Sequence, residues 1–162
     1  MPRARRTRLI GADRSAVWSV VSDPYQLPRW WPKVARVEAV QERRRGSGTL
    51  WTKVLQTQAG RDVRADFRCL YSKEPSAYGW EQEIEGSPFE KVFRSSVTRI
   101  ELAEATGGTR VRLEVNQRLR GMSRLGGFMV RRATAVQLDE ALASLAALFE
   151  PAAGDEEQVD AA

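Results

Sequence analysis

Strict two-residue alternation, punctuated by short turns, narrows the possible folds of this chain more than any other feature. Val63, Ala65, Phe67, Cys69 and Tyr71 fall on one side of an extended segment, and Asp62, Arg64, Asp66 and Arg68 fall on the other. Further on, Val111, Leu113, Val115, Gln117 and Leu119 alternate with Arg110, Arg112, Glu114 and Arg118. One apolar and one charged face per strand describes an antiparallel sheet buried on one side only. The separators are Gly46-Ser47-Gly48, Ala59-Gly60, Glu74-Pro75-Ser76, Gly86-Ser87-Pro88 and Thr106-Gly107-Gly108. They are too short for crossover connections, so the strands form a meander. Six strands are predicted near 34–43, 49–57, 62–72, 77–85, 90–103 and 109–119.

The flanks complete the layout. Arg3 to Ile10 suits an edge strand, and Gly11-Ala12-Asp13 breaks it, with Asp13 placed to cap a helix running to Ser22. Asp23-Pro24 stops that helix, and Tyr25 to Trp31 reads as a second, very short one closed by Pro32. A long helix is predicted from about Ser123 to Phe149. Its stripe is Phe128, Arg131, Ala135, Leu138, Leu142, Leu145 and Phe149, which packs on the sheet. Arg131 either snorkels its head to solvent or enters a cavity to meet a polar ligand group. The fold class is α+β, a seven-stranded curved antiparallel sheet wrapped around a long C-terminal helix in the order β-α-α-β6-α, over residues 1–150. Residues 151–162 form an acidic, apolar-poor tail predicted to be disordered.

Composition removes several chemistries. The chain has no histidine, so a Ser-His or Cys-His pair, a histidine metal site and an imidazole base are all unavailable. A single cysteine, Cys69, allows neither an internal disulfide nor a thiolate zinc cluster and reads as an inert buried thiol. No metal and no cofactor is expected. No apolar run is long enough to span a bilayer, and alternating strand-like sequence follows Met1-Pro2-Arg3 in place of a leader, so a cytoplasmic location is expected. The net charge of +5 and the arginine runs at residues 3–8 and 43–45 raise the question of a nucleic-acid partner. Arginines on strands usually occupy the solvated face, and no aromatic ladder lies among them, which weighs against that partner.

Several side chains are candidates for an interior site. Trp30 and Trp31, set between Pro28 and Pro32, cannot both be covered by their own short helix and must lean on the core or on a ligand. Tyr78, Trp80 and Gln82 point inward by alternation, beside Val63, Ala65, Phe67, Cys69 and Tyr71 on one neighbour and Val111, Leu113, Val115 and Gln117 further along. The aromatics either line a cavity or fill it. Inward Gln82, Gln117 and Tyr78 each need a polar partner. Leu125, Phe128 and Met129 start the long helix, where they would cover an opening, and Met suits a wall that adapts to several shapes. The strand near 49–57 is ambiguous. Turning Trp51 and Leu55 inward would also bury Lys53, so Leu50, Thr52 and Val54 are predicted to face in.

The order of elements, with Val17-Trp18, Ser22-Asp23-Pro24, Trp30-Trp31-Pro32, Gly107-Gly108-Thr109-Arg110-Val111 and Gln137-Leu138-Asp139-Glu140-Ala141-Leu142, resembles the START-like, or SRPBCC, superfamily and within it the polyketide cyclase/dehydrase and lipid-transport group. The resemblance implies a helix-grip fold with a cavity between sheet and long helix that holds a lipid, polyketide or other hydrophobic small molecule, with Trp31 at its mouth. Cyclase relatives project arginine and tyrosine into that cavity, whereas the central strand here offers Val63, Ala65, Phe67 and Cys69. Carriage of a hydrophobic ligand by a monomer or homodimer is therefore the first expectation. A cyclase/dehydratase-type enzyme using Tyr71, Tyr78 or Arg131 is the second, and an interaction protein using the basic sheet face is the third.

Overall fold

The structure is a computed structural model, and it describes residues 3–43, 47–121 and 124–150, without the side chain of Arg124. The predicted tail and part of the 43–45 arginine run lie outside the described residues. Strand β1 (Arg3–Ile10) leads into helix α1 (Arg14–Val21), a 3-10 turn at Pro24–Gln26 and helix α2 (Leu27–Trp30). Strands β2 (Val34–Gln41), β3 (Leu50–Gln56), β4 (Asp62–Lys73), β5 (Ala77–Glu83), β6 (Phe93–Ala105) and β7 (Gly108–Leu119) follow, and helix α3 (Arg124–Leu148) ends the order. Asp13 caps α1 by accepting from the Ala16 amide at 2.8 Å, and Asp23 does the same for the next turn through Tyr25 at 3.0 Å.

All seven strands form one antiparallel sheet in the order β1-β7-β6-β5-β4-β3-β2. The meander gives sequential neighbours from β2 to β7, while β1 pairs with β7 and α1 and α2 carry the chain to the opposite edge. That β1–β7 junction is tight. A Cβ on Gly108, at φ 149°, would sit 2.0 Å from the Ile10 carbonyl oxygen, and the neighbouring Thr109 hydroxyl donates to the Ala12 carbonyl at 2.8 Å. One face of the sheet packs on α1, α2 and α3 through a continuous core that includes Val17, Trp30, Trp80, Ile100, Leu113, Leu138 and Leu145. The other face is a lattice of ion pairs, among them Arg64–Glu38, Arg68–Glu81 and Arg112–Glu101.

Two strand faces differ from the sequence expectation. In β3 the register sets Trp51 against Phe67, Lys53 against Ala65 and Leu55 against Val63, so Trp51, Lys53 and Leu55 turn inward and Thr52 and Val54 turn outward. Val54 is nonetheless buried because its cross-strand neighbours, Arg36 and Arg64, lie on either side of it. Outward Thr52 donates to Asp66 at 2.5 Å. The second correction is Tyr71. A bulge between Cys69 and Tyr71 inserts one residue into β4, so Tyr71 pairs with outward Gly79 and leaves the face shared by Ala65, Phe67 and Cys69. Its ring lies over Gly79, where a Cβ would be 2.6 Å from the ring carbons.

Candidate functional site

The inner face of β3, β4 and β5 meets the end of α2 in an aromatic cluster. The Trp31 ring centroid is 5.3 Å from those of Trp30 and Trp80, edge to face in both cases, and Trp80 is 6.0 Å from both Trp51 and Tyr78. Trp51 stacks on its cross-strand partner Phe67 at 6.1 Å. Prolines 28 and 32 bracket the two adjacent indoles on an element too short to cover them; Trp31 packs on Trp30 and on Trp80 of the sheet, and α2 rests on α3 and β2.

Lys53 stands inside this cluster. It is 2% exposed, and its Nζ lies 4.2 Å from the Phe67 ring centroid and 4.7 Å from those of Trp31 and Trp80. Among the described residues no carboxylate, carbonyl or hydroxyl pairs with it. Burial pushes its pKa down to about 7, because the ammonium loses hydration without gaining an anion. The three ring faces act in the opposite sense by attracting the cation. The sequence expectation treated an inward lysine as lacking a partner. It omitted the aromatic faces, and the signal that could have revealed them was the shared phase of Trp51, Lys53 and Leu55 opposite Phe67.

Further polar atoms on this side of the core lack protein partners. Trp30 Nε1, Trp51 Nε1 and Gln82 Nε2 are buried without a hydrogen bond. Gln117 is satisfied, since its Oε1 accepts from the Thr134 hydroxyl of α3 at 3.2 Å. Burial raises the Tyr78 phenol beyond its ordinary range and also raises the Cys69 thiol, which fits an unreactive cysteine. Val111, Leu113 and Val115 are buried core residues beneath α3, and Val63 is half-buried.

The start of α3 does not take the place expected for it. Leu125, Phe128 and Met129 are 69%, 51% and 62% exposed, so they face outward rather than closing an interior cavity. The helix meets the sheet through residues from Thr134 onward, where small Ala135, Ala141 and Ala146 alternate with leucines and allow close approach. Arg131 follows its solvent reading. It is exposed, and its guanidinium lies 5.8 Å from the Phe128 ring.

These outward side chains border clefts. One of about 660 Å³ is lined by Pro32, Phe128, Met129, Val136 and Gln137. An adjoining one of about 530 Å³ runs along Pro28 to Val34 against Glu140, Ala143 and Ser144, and shares Pro32, Lys33 and Glu140 with the first. Trp31 therefore borders open space as well as the Lys53 amine. Among the described residues no group of His, Cys, Asp and Glu could hold a metal ion, and no helix is long and apolar enough to cross a membrane.

Comparison with known proteins agrees with this architecture. A START superfamily protein from Mycobacterium smegmatis superposes with a TM-score of 0.74 at 15% identity, covering 91% of this chain and 96% of that one. The di-domain ARO/CYC BexL from the BE-7585A biosynthetic pathway gives 0.74 at 15% identity over 93% of this chain, which spans 50% of that protein. A protein from Chromobacterium violaceum gives 0.70 at 17% identity over 93% and 99% of the two chains. At such identities the likeness shows the fold alone. No curated protein sequence matches the chain. With the helix-grip sheet and long helix in place, and with residues 1–150 matching the family described as polyketide cyclase / dehydrase and lipid transport, this chain belongs to that family.

Proposed function

We propose that the protein binds and carries a hydrophobic small molecule that enters between the exposed start of α3 and the Pro28–Val34 segment, with its polar end directed toward the Lys53 cluster. The observation that carries this reading is the aromatic cluster around Trp31, which holds the buried Lys53 amine and the unpartnered Trp51 Nε1 and Trp30 Nε1 and borders an open cleft at Trp31. Buried polar atoms without protein partners are the groups that a ligand or water satisfies. Covering about 200 Å² of apolar surface on Phe128, Met129 and Val136 would contribute ~5 kcal/mol, enough for useful affinity before any polar contact. Displacement of a fluorescent fatty acid by 1-decanol, followed by native mass spectrometry, tests the reading. Exclusion of both probes by the folded protein removes it.

A second reading, an enzyme of the polyketide cyclase or dehydratase type, is favoured by Lys53 as a buried group able to exchange a proton near neutrality. An unchanged product distribution from a poly-keto substrate after Lys53→Met would count against it. The outer ion-pair lattice disfavours an interaction surface for nucleic acid, because carboxylates of the same face already engage Arg36, Arg64, Arg68 and Arg112.

A further inference from the structure

Four lysines occur in this chain, at 33, 53, 73 and 91, and only Lys53 is buried. Its side chain leaves the inner face of β3 between Val37 of β2 and the small Ala65 of β4, and ends among three aromatic rings. Neither those rings nor the two cross-strand neighbours can titrate, and none offers a negative charge to hold a proton on the amine. An amine so placed keeps its lone pair more readily than an exposed lysine does.

Resting on the ligand-binding reading above, we infer that Lys53 is a nucleophile that condenses reversibly with the carbonyl carbon of a hydrophobic aldehyde, holding it as an imine behind Trp31. The neutral amine attacks the carbonyl carbon and forms the carbon–nitrogen bond while the carbonyl π pair moves to oxygen. A proton passes from nitrogen to that oxygen, giving a carbinolamine. A proton taken from solvent by its hydroxyl then releases water as the nitrogen lone pair forms the double bond, giving an iminium whose N–H proton returns to solvent to leave the neutral imine. The net change is amine plus aldehyde to imine plus water, with nothing oxidised or reduced, and hydrolysis returns both partners.

Three observations support this assignment. The rings that desolvate the amine also face any cationic iminium formed on it, at distances where aromatic faces attract cations. Trp31 is both 4.7 Å from Nζ and a wall of the Pro28–Val34 cleft, so the amine and the cleft share a side chain. The depressed pKa of about 7 leaves about half the amine neutral at neutral pH, against about one in three thousand for an ordinary lysine.

The test uses the full chain with decanal and sodium cyanoborohydride, read by intact mass and peptide mapping. One decyl group on Lys53 is expected, added at least about tenfold faster than at Lys33, Lys73 or Lys91 even after allowance for slower access. The rate should rise through about pH 7 and level off above it, while the other lysines continue to rise. Lys53→Met should abolish the fast addition, and Trp31→Ala should quicken it at Lys53. Should Lys53→Met fold poorly, the peptide map of the unaltered chain still decides the matter. Addition spread evenly over the exposed lysines and the α-amine, with Lys53 untouched, overturns the inference. Displacement of the fluorescent fatty acid by 1-decanol in the same preparation reports on ligand binding separately, so binding without Lys53 labelling refutes the imine and leaves the carrier reading standing.

Discussion

Replacing Lys53 by methionine should stabilise the protein, and by an amount that depends on pH in a defined direction. The unfolded chain holds the lysine proton up to its ordinary value of 10.5, whereas the folded chain releases it near 7. Between those values the unfolded state binds more protons, so stability of the parent rises with pH across that window; below it both states are protonated and the slope vanishes. A displacement from 10.5 to about 7 corresponds to ~5 kcal/mol in all, of which ~4 kcal/mol is still unfavourable at about pH 7. Attraction of the ammonium to the Trp31, Phe67 and Trp80 faces offsets part of this, at up to ~2 kcal/mol for a desolvated ring. Methionine has similar length and an apolar tip that suits an aromatic surround. The expected gain is therefore about 2 to 4 kcal/mol at about pH 7, shrinking toward zero near pH 10.5. Urea denaturation of both proteins across that range, at constant m-value, measures the difference, and titration of the other lysines and the tyrosines cancels in it. A variant no more stable than the parent at about pH 7, or a gap that stays flat with pH, would refute the placement of the amine inside the cluster.

Other substitutions probe features outside that cluster. Gly79→Ala should cost about 1–3 kcal/mol by driving a methyl into the Tyr71 ring, and Tyr71→Ala in the same chain should recover most of it in a double-mutant cycle by chemical denaturation. Gly108→Ala should lower the melting temperature sharply, with a loss above about 3 kcal/mol, because its methyl meets the Ile10 carbonyl and its φ disfavours any side chain. Phe128→Ser should leave stability within about 0.5 kcal/mol, since the ring is half exposed, yet weaken fluorescent fatty-acid binding severalfold; unchanged binding would move the ligand away from the start of α3.

The strand order was legible because alternation of apolar and charged residues cannot be satisfied by a helix, and because turn residues recur between consecutive strands of the β2–β7 meander. Ala65, Phe67, Trp80, Leu113 and Val115 accordingly occupy the face that their spacing assigns. Tyr71 escaped because a bulge reverses parity without leaving a composition signal; Leu70 looks like any other strand residue. Lys53 escaped because the expense of desolvating an ammonium was weighed against hydrogen-bonding partners alone, while its partners are the faces of rings drawn from three separate segments. The start of α3 escaped for a different reason. Helical periodicity says which residues share a stripe, and it does not say how far along the helix the sheet extends to meet them.

That last difference shapes how the protein can respond to a guest. Leu138, Ala141, Leu142, Leu145 and Ala146 clamp the later turns of α3 to the sheet, whereas its opening turns carry Leu125, Phe128 and Met129 in solvent. The helix thus divides its length between an anchored part and a part that presents apolar side chains to the clefts beside it. If a hydrophobic guest binds as proposed, it meets those opening turns and leaves the anchored leucines untouched, so the surface that would adjust to its girth is separate from the part of the helix that holds the protein together.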